Sequence, residues 1–153
     1  MAGEADLGPG LSQRLTYLLK RALMNLEDLH HQHLDPLSIN ARELTVLLLL
    51  QAREPESQQQ AAARLGIDRT SMVGLLDGLE AKGLVERRAD SKDRRRNVVA
   101  LTEAGHSTLD EAVRASDQAE RQLLGQLNKA EQAQLRALLT RIPGQQPHTS
   151  QHP

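Results

Sequence analysis

Residues 58–105 read QQQAAARLGIDRTSMVGLLDGLEAKGLVERRADSKDRRRNVVALTEAG, and the order of patterns in that stretch decides the fold. Two short helical segments come first, one ending at Gly66 and one running from Asp68 to about Lys82. Strand-like runs follow at Leu84–Arg88 and Asn97–Leu101, joined by the polar loop Asp90–Arg96, and a further helix opens at Thr102 and Glu103. A helix pair followed by an arginine-tipped hairpin can offer one part to each groove of duplex DNA.

Within the second helix, Met72, Leu75, Leu76 and Leu79 fall at i, i+3, i+4 and i+7 and must face a core. That leaves Arg69, Thr70, Ser71, Val73, Gly74, Asp77 and Gly78 outward. The small, polar start of this set, Asp68 to Gly74, suits a helix inserted end-on into a major groove, although an amphipathic helix with ordinary caps would look the same. The hairpin separates the two readings. From Lys82 to Arg96 there are seven basic residues against three acidic ones, a local excess in a chain of net charge −1. Arg88, Lys92, Arg94, Arg95 and Arg96 sit on or beside a two-stranded tip, where charge adds nothing to a core, and arginine favours the negative potential of narrow minor grooves. Asp93, next to Arg94, is expected to hold a neighbouring guanidinium in one rotamer.

Working outward, the apolar residues Leu11, Leu15, Leu18, Ala22, Leu26 and Leu29 recur at helical spacing, with Leu19 and Leu23 widening the stripe. This predicts a helix from Leu11 to about Leu34, stopped by Asp35-Pro36 and apolar enough to meet a partner rather than water. Asn40 with Glu43, and Ser57 with Gln60, have the spacing of reciprocal helix caps. The helix from Thr102 carries Leu109, Val113, Leu123, Leu124 and Leu127. A last helix capped by Asn128 carries Leu135, Leu138, Leu139 and Ile142. A loose leader is expected over residues 1–10, one domain over 11–142 and a disordered tail over 143–153. Within the domain, 37–102 would be the winged DNA-binding region, and 11–35 with 103–142 the dimerisation helices. The fold class is mainly α with a small β-hairpin: a winged helix-turn-helix with N- and C-terminal dimerisation helices.

Composition removes other classes. One Tyr with no Phe or Trp gives an aliphatic core and no stacking platform for single-stranded bases. Without cysteine there are no disulfides, thiolate metal sites or thiol redox sensors. No leader opens the chain and no apolar run approaches membrane-spanning length, so a soluble cytoplasmic protein is expected. No phosphate loop, nucleophile elbow or carboxylate pair at catalytic spacing is present, so no enzyme activity, catalytic residue or cofactor is expected.

From Leu65 to Gly105 the chain resembles the MarR family of winged helix-turn-helix regulators. The wing D-x-x-D-R-R of Asp90–Arg95 and the L-T-E-A-G turn of Leu101–Gly105 carry the resemblance, which extends over roughly Leu11 to Ile142. It implies an obligate homodimer in which the first and last helices of both subunits interlock. It further implies a palindromic double-stranded operator, read by the Asp68–Lys82 helices and flanked by wings in minor grooves, and repression relieved by a small phenolic or other anionic effector. Two-fold symmetry would set the reading heads about 34 Å apart, one turn of DNA. Gly74 and Gly78 stand where relatives often carry Arg or another polar side chain. Either the backbone approaches DNA unusually closely there, or affinity leans on the wing and the helix start. A winged-helix dimer acting as a metal sensor or a protein- or effector-binding module with weak DNA binding is the alternative.

An anionic effector needs a cation beside an apolar cleft, and His30, His33 and Arg42 are the candidates, Arg42 being equally at home on a helix surface. His30 and His33, one turn apart, have metal-ligand spacing, but no Asp, Glu or His set elsewhere completes four ligands, so no metal is expected. His148 and His152 fall in the tail.

Overall fold

The structure, a computed structural model, describes residues 7–144. The expected leader up to residue 6, and the expected tail from residue 145 with His148 and His152, lie outside the described residues. Helices α1 (Gly8–Ser12), α2 (Leu15–Leu34), α3 (Ala41–Ala52), α4 (Gln58–Leu65) and α5 (Arg69–Ala81) are followed by β1 (Val85–Ala89) and β2 (Asn97–Leu101), then α6 (Glu103–Leu123) and α7 (Lys129–Arg141). The mainly helical winged helix-turn-helix expected from the sequence is what forms. One departure is at the start. Gly8 to Gly10 are helical rather than loose, with Pro9 presetting the helical φ at the first turn. Arg14 is extended, so the single helix expected from Leu11 is broken into α1 and α2.

Capping sets the boundaries. Asn40 and Glu43 form a reciprocal capping box on α3, as do Ser57 with Gln60 on α4 and Asn128 with Glu131 on α7. Gly66 and Gly83, both at positive φ, end α4 and α5. In each case the following N–H reaches back a full turn, Ile67 N to Ala62 O at 3.0 Å and Leu84 N to Leu79 O at 3.0 Å. Inside these limits Leu34, Leu47, Met72, Leu76, Leu79 and Leu109 are completely buried. Each contributes roughly 1.5–3 kcal/mol of burial.

The strands pair antiparallel with Val85 opposite Leu101 and Arg87 opposite Val99. Val99 N also donates to Glu56 O at 3.0 Å, so the loop before α4 adds a one-residue third strand. At the base of the hairpin, Thr102 N donates to Leu84 O (3.1 Å) and Thr102 Oγ1 to Gly83 O (2.6 Å), while Thr102 Oγ1 caps α6 at Gly105 N (3.0 Å). A Cβ on Gly105 would stand 2.0 Å from Leu84 O.

Glu43 is the buried charged residue among the described ones. Lys82 Nζ reaches its carboxylate at 2.8 and 3.0 Å and also donates to Ser38 O at 2.6 Å. This corrects the placement of Gly78. It is not on an outer face; its missing side chain points at Glu43 Oε1, 3.8 Å away, because the Glu43–Lys82 pair draws α3 against that side of α5. Gly74 is outward, with nothing within 4 Å of where its Cβ would be.

These glycines separate sharply in urea denaturation. Gly105→Ala must displace backbone and should destabilise the fold by about 2 kcal/mol or more. Gly74→Ala and Gly78→Ala meet no clash and should each stabilise by up to about 1 kcal/mol.

Candidate nucleic-acid interface

The start of α5 and the hairpin tip are the two exposed features that residues 58–105 build. Asp68 is the N-cap of α5: its Oδ1 accepts from Ser71 N at 2.9 Å and its Oδ2 from Ser71 Oγ at 2.6 Å. The Ser71 side-chain and backbone hydrogen bonds hold the Asp68 carboxyl below its ordinary value of 3.8. Asp68 thus serves the helix, and the Ser71 hydroxyl is engaged as a donor to it. Arg69, Thr70 and Gly74 are exposed and Val73 is half-buried.

At the hairpin, Asp90 and Asp93 shape the backbone. Asp90 Oδ1 accepts from Lys92 N (3.1 Å) and Asp93 Oδ1 from Arg95 N (3.0 Å), and Asp90 N–Arg96 O (2.8 Å) closes the loop. The expectation for Asp93 is corrected here: it holds a main-chain amide, not a guanidinium. An aspartate two residues before an N–H makes this turn within its own loop, which is geometrically nearer than any neighbouring side chain. Arg96 donates to Gln60 Oε1 at 3.2 Å, Lys92 lies 3.7 Å from Glu54 and Arg88 3.6 Å from Glu86. The Lys92 and Arg88 pairs are exposed and weak, worth about 0–1 kcal/mol each. The guanidiniums of Arg94 and Arg95 make no ion pair or hydrogen bond among the described residues.

The structure removes two of the seven clustered cations from any outward patch. Lys82 belongs to Glu43. Arg87, on β1, bonds Glu80, Asp77 (2.7 Å) and Gln58 (3.2 Å), tying the hairpin to α5 and α4 together. Partial burial works against its charge, but Asp77 and Glu80 outweigh this and hold its pKa above the ordinary value. Sequence reasoning missed this clamp. Its members are 7 to 29 residues apart, and no local pattern marks them.

The proposed effector residues are partly brought together. A cavity of about 290 Å³ between the end of α2 and the start of α3 is lined by His30 and Arg42, with Glu27, His31, Asp35 and Asn40. His33 is not among its lining residues; its Nε2 is 2.8 Å from Gln122 Oε1 on α6. His30 Nε2 lies 3.0 Å from Ser116 Oγ, and burial pushes its imidazole below the ordinary 6.5, outweighing the opposing effect of Glu120. Among the described residues no group of three or more His, Asp or Glu is placed to hold a metal ion.

Known proteins resemble this chain over most of its length. Residues 37–96 match a family model described as MarR family. The chain is 32% identical over 134 residues to the transcriptional repressor MprA of Escherichia coli K12, covering 84% of this chain and 76% of that protein. Among solved structures, the transcriptional repressor CouR bound to a 23-mer DNA duplex superposes with a TM-score of 0.79 at 32% identity, over 86% of this chain and 94% of that one. CouR from Rhodococcus jostii RHA1 bound to p-coumaroyl-CoA gives 0.75 at 31% identity, over 87% and 94%.

The Asp68 cap has a pH signature. A carboxyl with a depressed folded-state pKa contributes stability that is present above its ordinary value and lost as pH falls through the folded one. Asp68→Asn should therefore lower the urea midpoint at pH 7, and the difference from wild type should shrink as pH drops below 3.8.

Proposed function

Because the chain belongs to the MarR family, we propose that it is a transcriptional regulator that binds double-stranded DNA as a homodimer, represses its target and is released by a small molecule. In this reading α5 enters the major groove with Arg69, Thr70, Ser71, Val73 and Gly74. Arg94 and Arg95 enter the adjacent minor groove, with Arg88, Lys92 and Arg96 beside them. One observation carries it: two unpartnered guanidiniums stand on a tip whose backbone Asp90 and Asp93 hold in shape. A folded protein gains nothing from such an arrangement internally, whereas a phosphate-lined groove rewards preset cations. Asp68 and Asp93 act through the shape of the helix start and the tip rather than by touching DNA.

Dimerisation has its own support. Leu11, Leu15, Leu18, Leu19, Leu23 and Met24 near the N-terminus, and Leu138, Leu139 and Ile142 near the C-terminus, are all more than 40% exposed in a single chain. Apolar surface on this scale marks an interface. Both groups lie on the terminal helices, as interlocking subunits require.

The cavity at His30 and Arg42 is the proposed effector site, with Arg42 as the cation for an anionic ligand and His33 excluded from contact. The protein works in this reading as a cytoplasmic, non-enzymatic regulator. No helix among the described residues is long and apolar enough to cross a membrane.

Mobility-shift titration with DNA from upstream of the protein's own gene tests the reading. A sharp, salt-sensitive complex is expected. Arg94→Ala with Arg95→Ala removes four cations from the dimer, and should weaken the complex more than tenfold and lower the magnitude of the slope of log affinity against log salt by about 4. Unchanged affinity in that double variant would exclude the wing from binding. In sedimentation, Leu19→Glu with Leu139→Glu should shift the wild-type dimer towards monomer at micromolar concentration.

A further inference from the structure

We infer, resting on the DNA-binding reading above, that base identity is read only by the first turn of α5, chiefly by Arg69, and that the turn from Gly74 to Gly78 reads none. The commitments of each side chain on the helix draw this line. Asp77 is held by Arg87 at 2.7 Å. Gly78 is turned against Glu43, and Gly74 faces outward with no side chain. Leu75 and Leu76 pack into the core. From residue 74 to 78, therefore, Asp77 is the one polar side chain, and its carboxylate is held towards β1 by Arg87.

The first turn differs. The Ser71 hydroxyl donates its one hydrogen bond to Asp68 and retains only acceptor capacity. The Thr70 hydroxyl and the Arg69 guanidinium are unengaged among the described residues, and both residues are exposed. Arg69 alone in this turn carries parallel donors, the geometry that fits O6 and N7 of guanine. Methyl groups of Thr70 and Val73 beside it suit a thymine methyl. Each half-site should thus hold one short specified block containing a guanine that faces Arg69. The positions facing Gly74–Gly78 should accept all four bases equally. Discrimination beyond that block falls to duplex shape under the wing.

In vitro selection of the full chain on randomised duplexes tests this, followed by affinity measurements on the selected consensus. The expected consensus has one such block per half-site. Replacing its guanine by 7-deazaguanine, which removes N7, should weaken wild-type binding about tenfold or more and leave the Arg69→Ala variant nearly unaffected. Arg69→Gln should move the preference at that position alone from guanine to adenine, the base whose edge a Gln amide matches. Gly74→Arg should add a newly specified position beside the block. The inference is overturned if Arg69→Ala keeps the guanine preference, if Gly74→Arg specifies nothing new, or if the wild-type consensus holds further blocks indifferent to Arg69. Those outcomes leave the regulator reading standing. Failure to enrich any sequence from the library would remove both.

Discussion

Three elements of this protein meet on the backbone of one residue, Leu84, which itself leads into β1. Its N–H closes the end of α5, its carbonyl receives Thr102 at the end of β2, and Gly105 of α6 presses against that same carbonyl. A Cβ at residue 105 would occupy space the carbonyl already fills. Gly83 supplies the left-handed turn that brings Leu84 into place. The hairpin therefore leaves α5 at a fixed angle, and α6 leaves the hairpin at another. In the proposed DNA complex, both angles set how α5 and the wing would fit two grooves at once.

Charge in this chain divides by task. The buried Glu43 carboxylate meets the exposed Lys82 at the edge of the core, and Glu43 also holds the Asn40 amide at the start of α3. Removing Lys82 costs more than the pair itself contributes, because the buried Glu43 charge is left alone. Arg87 does similar work at the surface, binding the hairpin to α5 through Asp77 and Glu80. Within residues 58–105 the cations left without a partner among the described residues are Arg69, Arg94 and Arg95. The net charge of −1 hides this entirely.

A short run of hydrogen bonds links the cavity to the C-terminal end of α5. Asn40 lines the cavity and caps α3 with Glu43, while Glu43 receives Lys82 from the end of α5. Ser38, at positive φ beside them, lends its carbonyl to Lys82. Cavity and helix thus share one small set of hydrogen bonds rather than a long chain of packing.

Sequence alone determined whatever depends on neighbours in the chain. The helix limits follow from caps three residues long, such as Asn40 with Glu43, and from Gly66 and Gly83. The hairpin loop Asp90–Arg96 and the core face of Met72, Leu76 and Leu79 follow from short periods. Tertiary structure decided which polar groups are already spent. Helical spacing put Gly78 on an outer face, and only the approach of α3 turned it against Glu43. Asp93 looked like a partner for a side chain until the folded loop placed an amide nearer. Arg87 and Lys82 count among free cations until the fold brings them partners up to 44 residues away. Local patterns fix where a side chain starts, but its hydrogen bonds are settled by whatever the fold carries within about 3 Å of its end.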